Sequence, residues 1–226
     1  MQFSLRDKHA VLFDMDGVLY DSMPIHAKAW CQAMGEFGYT MTPQDVYANE
    51  GCTGAYTIQM INEREGKEPV TEEKVLGIYR RKSEIFMTYP QPRIMPGALD
   101  VMRNAAASGF KIEVVTGSGQ QKLIDRVQSD FSGYVFRNLM VTAFDVRRGK
   151  PFPDPYLKGL EQGGVTASEA VVVENAPLGI RSARAAGIDV IAVNTGVLSD
   201  EDLLKEGPSA LFHSMQELAD RWESLF

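Results

Sequence analysis

The chain has 226 residues, 44% of them hydrophobic, and a formal charge of −7. That length is long for one simple domain and short for two full ones, which predicts a core carrying a modest insert. The negative charge argues against a binder of nucleic-acid backbones, which needs a basic face, but leaves room for a small anionic substrate at a locally positive site.

The two cysteines, Cys31 and Cys52, are too few for a disulfide framework and pair with no histidines at zinc spacing. The opening MQFSLRDKHAVLF places charges where an export signal needs an apolar core. No apolar run approaches the ~20 residues needed to cross a bilayer. A reduced, cytoplasmic protein without membrane contact is expected, more readily a monomer than an obligate oligomer.

His9–Asp14 is a short apolar run ending in acid and glycine, the pattern of a buried parallel strand. Asp21 and Ser22 read as helix caps, with Pro24 just inside the helix they start. Ile25, Ala29, Trp30, Ala33, Met34 and Phe37 line one face of that helix, and Gly38 ends it. From about Thr42 to Tyr89 the periodicity stays helical. The three prolines of YPQPRIMPG, Tyr89–Gly97, then mark a boundary.

Beyond it, strands and helices alternate. A helix from about Pro96 to Ser108 precedes the strand Phe110–Thr116, and another helix starts near Gln120. A weaker apolar segment covers Met140–Ala143. After GKPFPDPY a helix runs to about Gln162, followed by the strand Ala170–Glu174, a helix ending at Gly187, the strand Asp189–Asn194 and a final helix near Ser214. Such alternation predicts an α/β fold, a Rossmann-like, doubly wound parallel sheet covered on both faces. The expected core is discontinuous, residues 1–22 and 93–226, with residues 23–92 as an inserted helical cap.

Open sheets of this kind bind ligands at the carboxyl ends of their strands, and chemistry-bearing residues collect there. The first strand delivers Asp14 and Asp16, on one side of an extended chain, followed by Gly17. The second delivers Thr116, Gly117 and Ser118; Lys150 follows the third segment; Glu174 and Asn175 end the fourth. Two carboxylates so close repel, and a hard cation relieves them. Magnesium, which takes carboxylates, waters and phosphate oxygens, suits Asp14, Asp16, Glu174 and Asn175. Thr116 and the amides of Gly117 and Ser118 suit phosphate oxygens, with Lys150 as a point charge. One aspartate can then attack phosphorus while its neighbour handles protons.

FDMDGVLYDS, VVTGSG, GKPFPDPY and VVVENAPLGI resemble, in order, the four motifs of the haloacid dehalogenase-like phosphohydrolases. The insert resembles the cap of their β-phosphoglucomutase and phosphoglycolate phosphatase branch. The resemblance implies Asp14 as nucleophile and Asp16 as acid/base whose backbone carbonyl also binds magnesium. It implies His26, Trp30 and Lys82 near the substrate, and Gly51-Cys52-Thr53-Gly54 as the substrate loop. Two departures stand out. The fourth motif has Asn175 where the family more often has Asp, and Gly54 stands where a mutase offers an arginine to a second phosphate. The latter favours hydrolysis of a small phosphorylated metabolite over mutase chemistry, unless Arg64, Arg80 or Arg81 substitutes in space.

Blander readings accompany these. Trp30 suits the core of the insert, His26 a partly exposed histidine, Lys150 a solvated one, Thr116 a turn and Asn175 a helix cap. The expectation is a phosphatase of small sugar phosphates working through an aspartyl phosphate. The alternatives are β-phosphoglucomutase and, from another class, a phospho-receiver or a non-catalytic phosphometabolite-binding protein.

Overall fold

The computed structural model describes residues 3–226. Strand β1 (Ala10–Phe13) is followed by the two-residue β2 (Tyr20–Asp21) and four helices, α1 (Met23–Glu36), α2 (Pro43–Ala48), α3 (Gly54–Arg64) and α4 (Glu72–Thr88). The two-residue β3 (Arg93–Ile94) leads to α5 (Ala98–Ala107), β4 (Lys111–Val115), α6 (Gln121–Asp130), β5 (Met140–Val141) and α7 (Asp154–Gly163). Then come β6 (Ala170–Glu174), α8 (Pro177–Ala185), β7 (Asp189–Val193), α9 (Asp200–Leu204), β8 (Ala210–Phe212) and α10 (Met215–Arg221).

Six strands form one parallel sheet in the order β5-β4-β1-β6-β7-β8. The apolar strands are buried on both faces, as a parallel sheet requires. Val11, Phe13, Val114 and Val173 face one apolar cluster. Ala10, Leu12, Val115 and Val172 face the other. Because β1 is central and the chain builds outward on both sides of it, the strand order reverses beside β1. That reversal opens the crevice where sheets of this type take ligands.

Helices α1–α4 share a third apolar cluster, which includes Met23, Trp30, Met34, Met41, Ile58 and Ile78. The opposite flank of α1, with Ala29 and Ala33, packs with Ile85 and Phe86 onto the cluster of the sheet. Both ends of this helical segment pass through the antiparallel pair β2–β3, where Tyr20 faces Ile94 and Asp21 faces Arg93. Among the described residues no helix is long and apolar enough to cross a membrane.

The main elements fall where the periodicity puts them, within a residue or three at the ends. The sequence reading did not anticipate β2, β3, α9 or β8, and only two residues of the Met140–Ala143 segment pair as a strand. These are short elements whose order comes from their neighbours rather than from a pattern of their own.

Candidate active site

The carboxyl ends of β1, β4 and β6 converge on Lys150, which has no exposed side-chain surface. Its ammonium donates to Asp14 Oδ1 at 2.5 Å, to Glu174 Oε1 at 2.7 Å and to the Val115 carbonyl at 3.0 Å, using all three of its donors. Burial pulls its pKa down, but the charges of Asp14 and Glu174 outweigh burial and hold Lys150 well above the ordinary lysine range. Asp14 is pushed up by burial, with Lys150 pulling it back.

Glu174 is equally committed. Oε1 accepts from Lys150 and from Tyr156 Oη at 2.9 Å, while Oε2 accepts the amides of Asn175 at 3.0 Å and Ala176 at 3.2 Å. Its four acceptor positions are filled. The structure therefore uses Glu174 to anchor Lys150, a different employment from the metal ligation expected of it. Asn175 differs: its amide nitrogen donates to Glu50 Oε1 at 2.7 Å, while its Oδ1 is buried without a partner.

Glu50 comes from the loop between α2 and α3, and the sequence reading missed it. Only its place just before Gly51 marks it, and a lone loop acid is usually solvated. Here it is 5% exposed. Burial drives its carboxyl well above the usual range; the Asn175 amide opposes this, and the charges of Asp14, Glu174 and Asp16 add to it. Gly17 permits the approach: at φ 80° it adopts a left-handed turn, and a Cβ there would lie 2.0 Å from Asn175 Nδ2 and 2.7 Å from Glu50 Oε1.

Asp16 sits at the end of a chain of donors from α1 and α4. Its Oδ1 accepts from Ser22 Oγ at 2.6 Å and pairs with His26 Nε2 at 3.0 Å, and Lys82 Nζ lies 2.8 Å from His26 Nδ1. The network sets the tautomer: Nδ1 accepts from Lys82, so Nε2 carries the proton toward Asp16. Burial raises the Asp16 carboxyl, yet His26, Ser22 and Lys82 together hold it below its ordinary value. Burial pushes Lys82 down to about 7 and lowers His26. The rings of Trp30, Tyr79 and Phe86, with centroids 5.2–5.8 Å from Nζ, receive the Lys82 ammonium. Ser22 occupies the N-cap position as expected, but its hydroxyl makes no cap bond and serves Asp16 instead.

The insert loop rests on the β4 loop closely enough that a Cβ on Gly117 would lie 2.2 Å from the Gly51 carbonyl oxygen. Thr116 Oγ1 accepts the Ser118 amide at 3.0 Å, and Tyr79 Oη accepts the Gly119 amide at 3.3 Å from across the interface. These surfaces enclose a pocket of about 60 Å³, lined by Asp14, Asp16, His26, Trp30, Gly51, Lys82, Thr116, Gly117 and Ser118 among others. Asn49 and Gln120, also in its lining, each present a buried polar atom without a partner, Oδ1 and Nε2 respectively.

Thr53 is not in the lining. It caps α3 by accepting the Tyr56 amide at 3.4 Å, and its methyl group packs on Gly149. The expected substrate contact at Thr53 is therefore a helix cap. Nor does any arginine line the pocket. Arg64 pairs with Asp45, Arg81 with Glu36 and Glu84, and Arg80 borders a separate surface groove beside Glu73 and Lys74. Tyr79 fills the space beside Gly54, where a Cβ would lie 2.2 Å from its ring.

The residues fit a hard cation. Asp14 and Glu174 share the Lys150 ammonium, the charges of Asp14, Glu174 and Asp16 all reach Glu50, and the buried Asn175 oxygen lacks a partner. Among the described residues no three His, Cys, Asp or Glu side chains form a cluster able to hold a metal unaided. Carboxylate and amide oxygens such as these suit a cation that also takes carbonyl, water and substrate oxygens, as magnesium does.

The family model for haloacid dehalogenase-like hydrolases matches residues 11–193. The chain is 33% identical to hexitol phosphatase A of Escherichia coli over 92% of its length and 91% of the relative's. It is 30% identical to PpaX of Caldanaerobacter subterraneus, provisionally named a pyrophosphatase, over 92% of each. A solved structure from Bacteroides vulgatus, provisionally named a β-phosphoglucomutase, superposes with a TM-score of 0.93 at 50% identity, covering 97% of this chain and 89% of that one.

Proposed function

The chain belongs to the haloacid dehalogenase-like hydrolases and is an enzyme of their phosphatase and phosphoglucomutase group, and from that premise we propose that it is a magnesium-dependent phosphatase of small phosphate esters. One observation carries the reading. A buried Asp14 and a donor-laden Asp16 face one pocket with Thr116, Gly117 and Ser118, and among the described residues its lining includes no arginine.

Asp14 attacks phosphorus: its carboxylate oxygen bonds to phosphorus as the bond to the leaving oxygen breaks, and Asp16, which must first take up a proton because its donors favour the ionised form, gives that oxygen its proton. Asp16 then takes a proton from water, whose oxygen attacks the aspartyl phosphate and frees Asp14 and orthophosphate. His26 and Ser22 orient the Asp16 carboxyl, and Lys82 sets the tautomer of His26. Lys150, held by Glu174, positions Asp14. Thr116, Gly117 and Ser118 offer the hydroxyls and amides that hold the transferring oxygens. Asp14, the Asp16 carbonyl and Asn175 Oδ1, with Glu50 beside them, would hold magnesium, which when bound offsets the negative charge around the phosphoryl group. Residues 23–92 act as a cap that excludes water during transfer.

The hexitol phosphatase relative supports a polyol or sugar phosphate as substrate. A second reading comes from the PpaX relative, whose name suggests a compact diphosphate as substrate. The test is phosphate release, with magnesium, from hexitol phosphates, hexose phosphates and inorganic pyrophosphate, with glucose 6-phosphate formation from β-glucose 1-phosphate and a trace of bisphosphate followed in parallel. Phosphate release abolished by Asp14→Asn supports hydrolysis and its best substrate names the class. Glucose 6-phosphate without free phosphate, or full activity in Asp14→Asn, overturns the reading.

A further inference from the structure

Both connections between the helical insert and the sheet run past the last turns of α6. Tyr20 of β2 has no exposed surface; its hydroxyl donates to Asp130 Oδ2 at 3.0 Å and its ring meets Phe131 edge-on at 5.8 Å. Arg126, one turn before Asp130, pairs with the same oxygen through Nε at 2.7 Å. Its Nη1 donates to the Pro92 carbonyl at 2.8 Å, just before β3, and its guanidinium lies 5.0 Å from the centroid of the Tyr20 ring.

An Arg–Asp pair one turn apart on a helix is ordinarily a modest surface ion pair. That accounts for the bond to Asp130. It does not account for a second donor reaching Pro92, or for the Tyr20 hydroxyl sharing the same carboxylate. Tyr20 and Pro92 lie on the two separate connections, and one guanidinium and one carboxylate bind both. The opposite end of α6 begins directly after Thr116–Gln120, the loop that lines the pocket.

We infer that Arg126 and Asp130 clasp both hinge strands to the helix carrying the phosphate-binding loop, making Arg126 a positioning residue that fixes the pivot of the cap. The inference rests on the phosphatase reading only in requiring that the cap open for substrate. Ser22 and His26 follow β2 directly, so a fixed pivot also fixes their approach to Asp16. A guanidinium suits the task because its planar fork serves two acceptors in different directions, which one ammonium cannot do.

Cys52 is half-buried on the insert loop in the pocket lining, so an increase in the rate at which a neutral maleimide labels it, in a Cys31→Ser background, reports cap opening without any turnover. Arg126→Ala is expected to raise that rate about five- to tenfold, the range expected for losing a charged hydrogen bond at a partly exposed site. Arg126→Lys should restore only part of the protection. Labelling of Cys31 in the reciprocal Cys52→Ser background separates hinge release from general loosening. A rise confined to Cys52 supports the clasp. An unchanged Cys52 rate, full protection by lysine, or an equal rise at Cys31 overturns it. Since labelling needs no substrate, the clasp and the phosphatase reading can fail independently.

Discussion

Glu113 lies in the middle of β4 with no exposed surface, and neither of its carboxylate oxygens has a partner. It projects from the face that carries Leu12 and Val115 toward α7, where Gly159 and Gly163 leave space: a Cβ on Gly163 would lie 1.9 Å from Oε1. Burial raises its pKa from 4.5 to about 7, with Lys111 on the same strand opposing the shift. The folded state thus binds a proton that the unfolded state has released between those values, so stability falls as pH rises through that window.

At 1.36 kcal/mol per pKa unit, ionised Glu113 costs about 3 kcal/mol above pH ~8 and about 1.4 kcal/mol near pH ~5.5, a difference of about 2 kcal/mol. Glu113→Gln keeps the shape and removes the titration. Its unpartnered amide carries a penalty at every pH, so the informative quantity is the change with pH and not the absolute stability. Urea unfolding of both proteins at the two pH values should show the wild type losing about 2 kcal/mol more than the variant, or about 4–8 °C in melting temperature. Parallel pH dependence in the two proteins would refute the reasoning and mean that Glu113 is paired, for instance by a buried water.

Three further outcomes follow from single contacts. Gly179→Ala places a Cβ 1.8 Å from Glu174 Oε1. By moving the anchor of Lys150 it should cut kcat by about a hundredfold and lower stability by about 2–3 kcal/mol, read by steady-state kinetics and urea unfolding. Asn175→Asp should tighten magnesium binding in calorimetry by about tenfold through the added charge, while in the metal-free protein it sets a second carboxylate against Glu50 and exposes Cys52 to maleimide. Gly54→Arg should yield no mutase, because the Tyr79 ring occupies the space beside it; glucose 6-phosphate should remain undetected and stability should drop by about 1–3 kcal/mol.

The strands of the sheet were legible because burial on both faces writes a continuous apolar run, as in AVLF and AVVVE, and a helix follows each. The acids, the hydroxyl and the lysine at the strand ends were legible for a related reason: charge beside an apolar strand is costly unless it is used. Other features carry no local pattern. β2 and β3 hold two residues each and exist because the two connections cross there. Ser22 looks like a cap from its neighbours, and only the folded chain shows its hydroxyl turned to Asp16. Thr53 shows the reverse: the resemblance of its segment to a substrate loop implied ligand contact, and its side chain closes the first turn of α3. Long-range partners decide both cases, and spacing does not encode them.

Glu50 and Asn175 explain each other in the same long-range sense. An aspartate at position 175 would bring a carboxylate to hydrogen-bonding distance of the Glu50 carboxyl, inside a cluster that already holds Asp14, Asp16 and Glu174. Two such charges at that separation resist burial strongly, and the loop carrying Glu50 could not settle against the sheet unless one of them were protonated or a cation intervened. The amide of Asn175 turns that repulsion into a donated hydrogen bond of 2.7 Å and leaves its oxygen free. The departure in the fourth motif is therefore no simple loss of a ligand. With Glu50 counted, one acidic group of the site comes from the loop between α2 and α3 instead of from the end of β6.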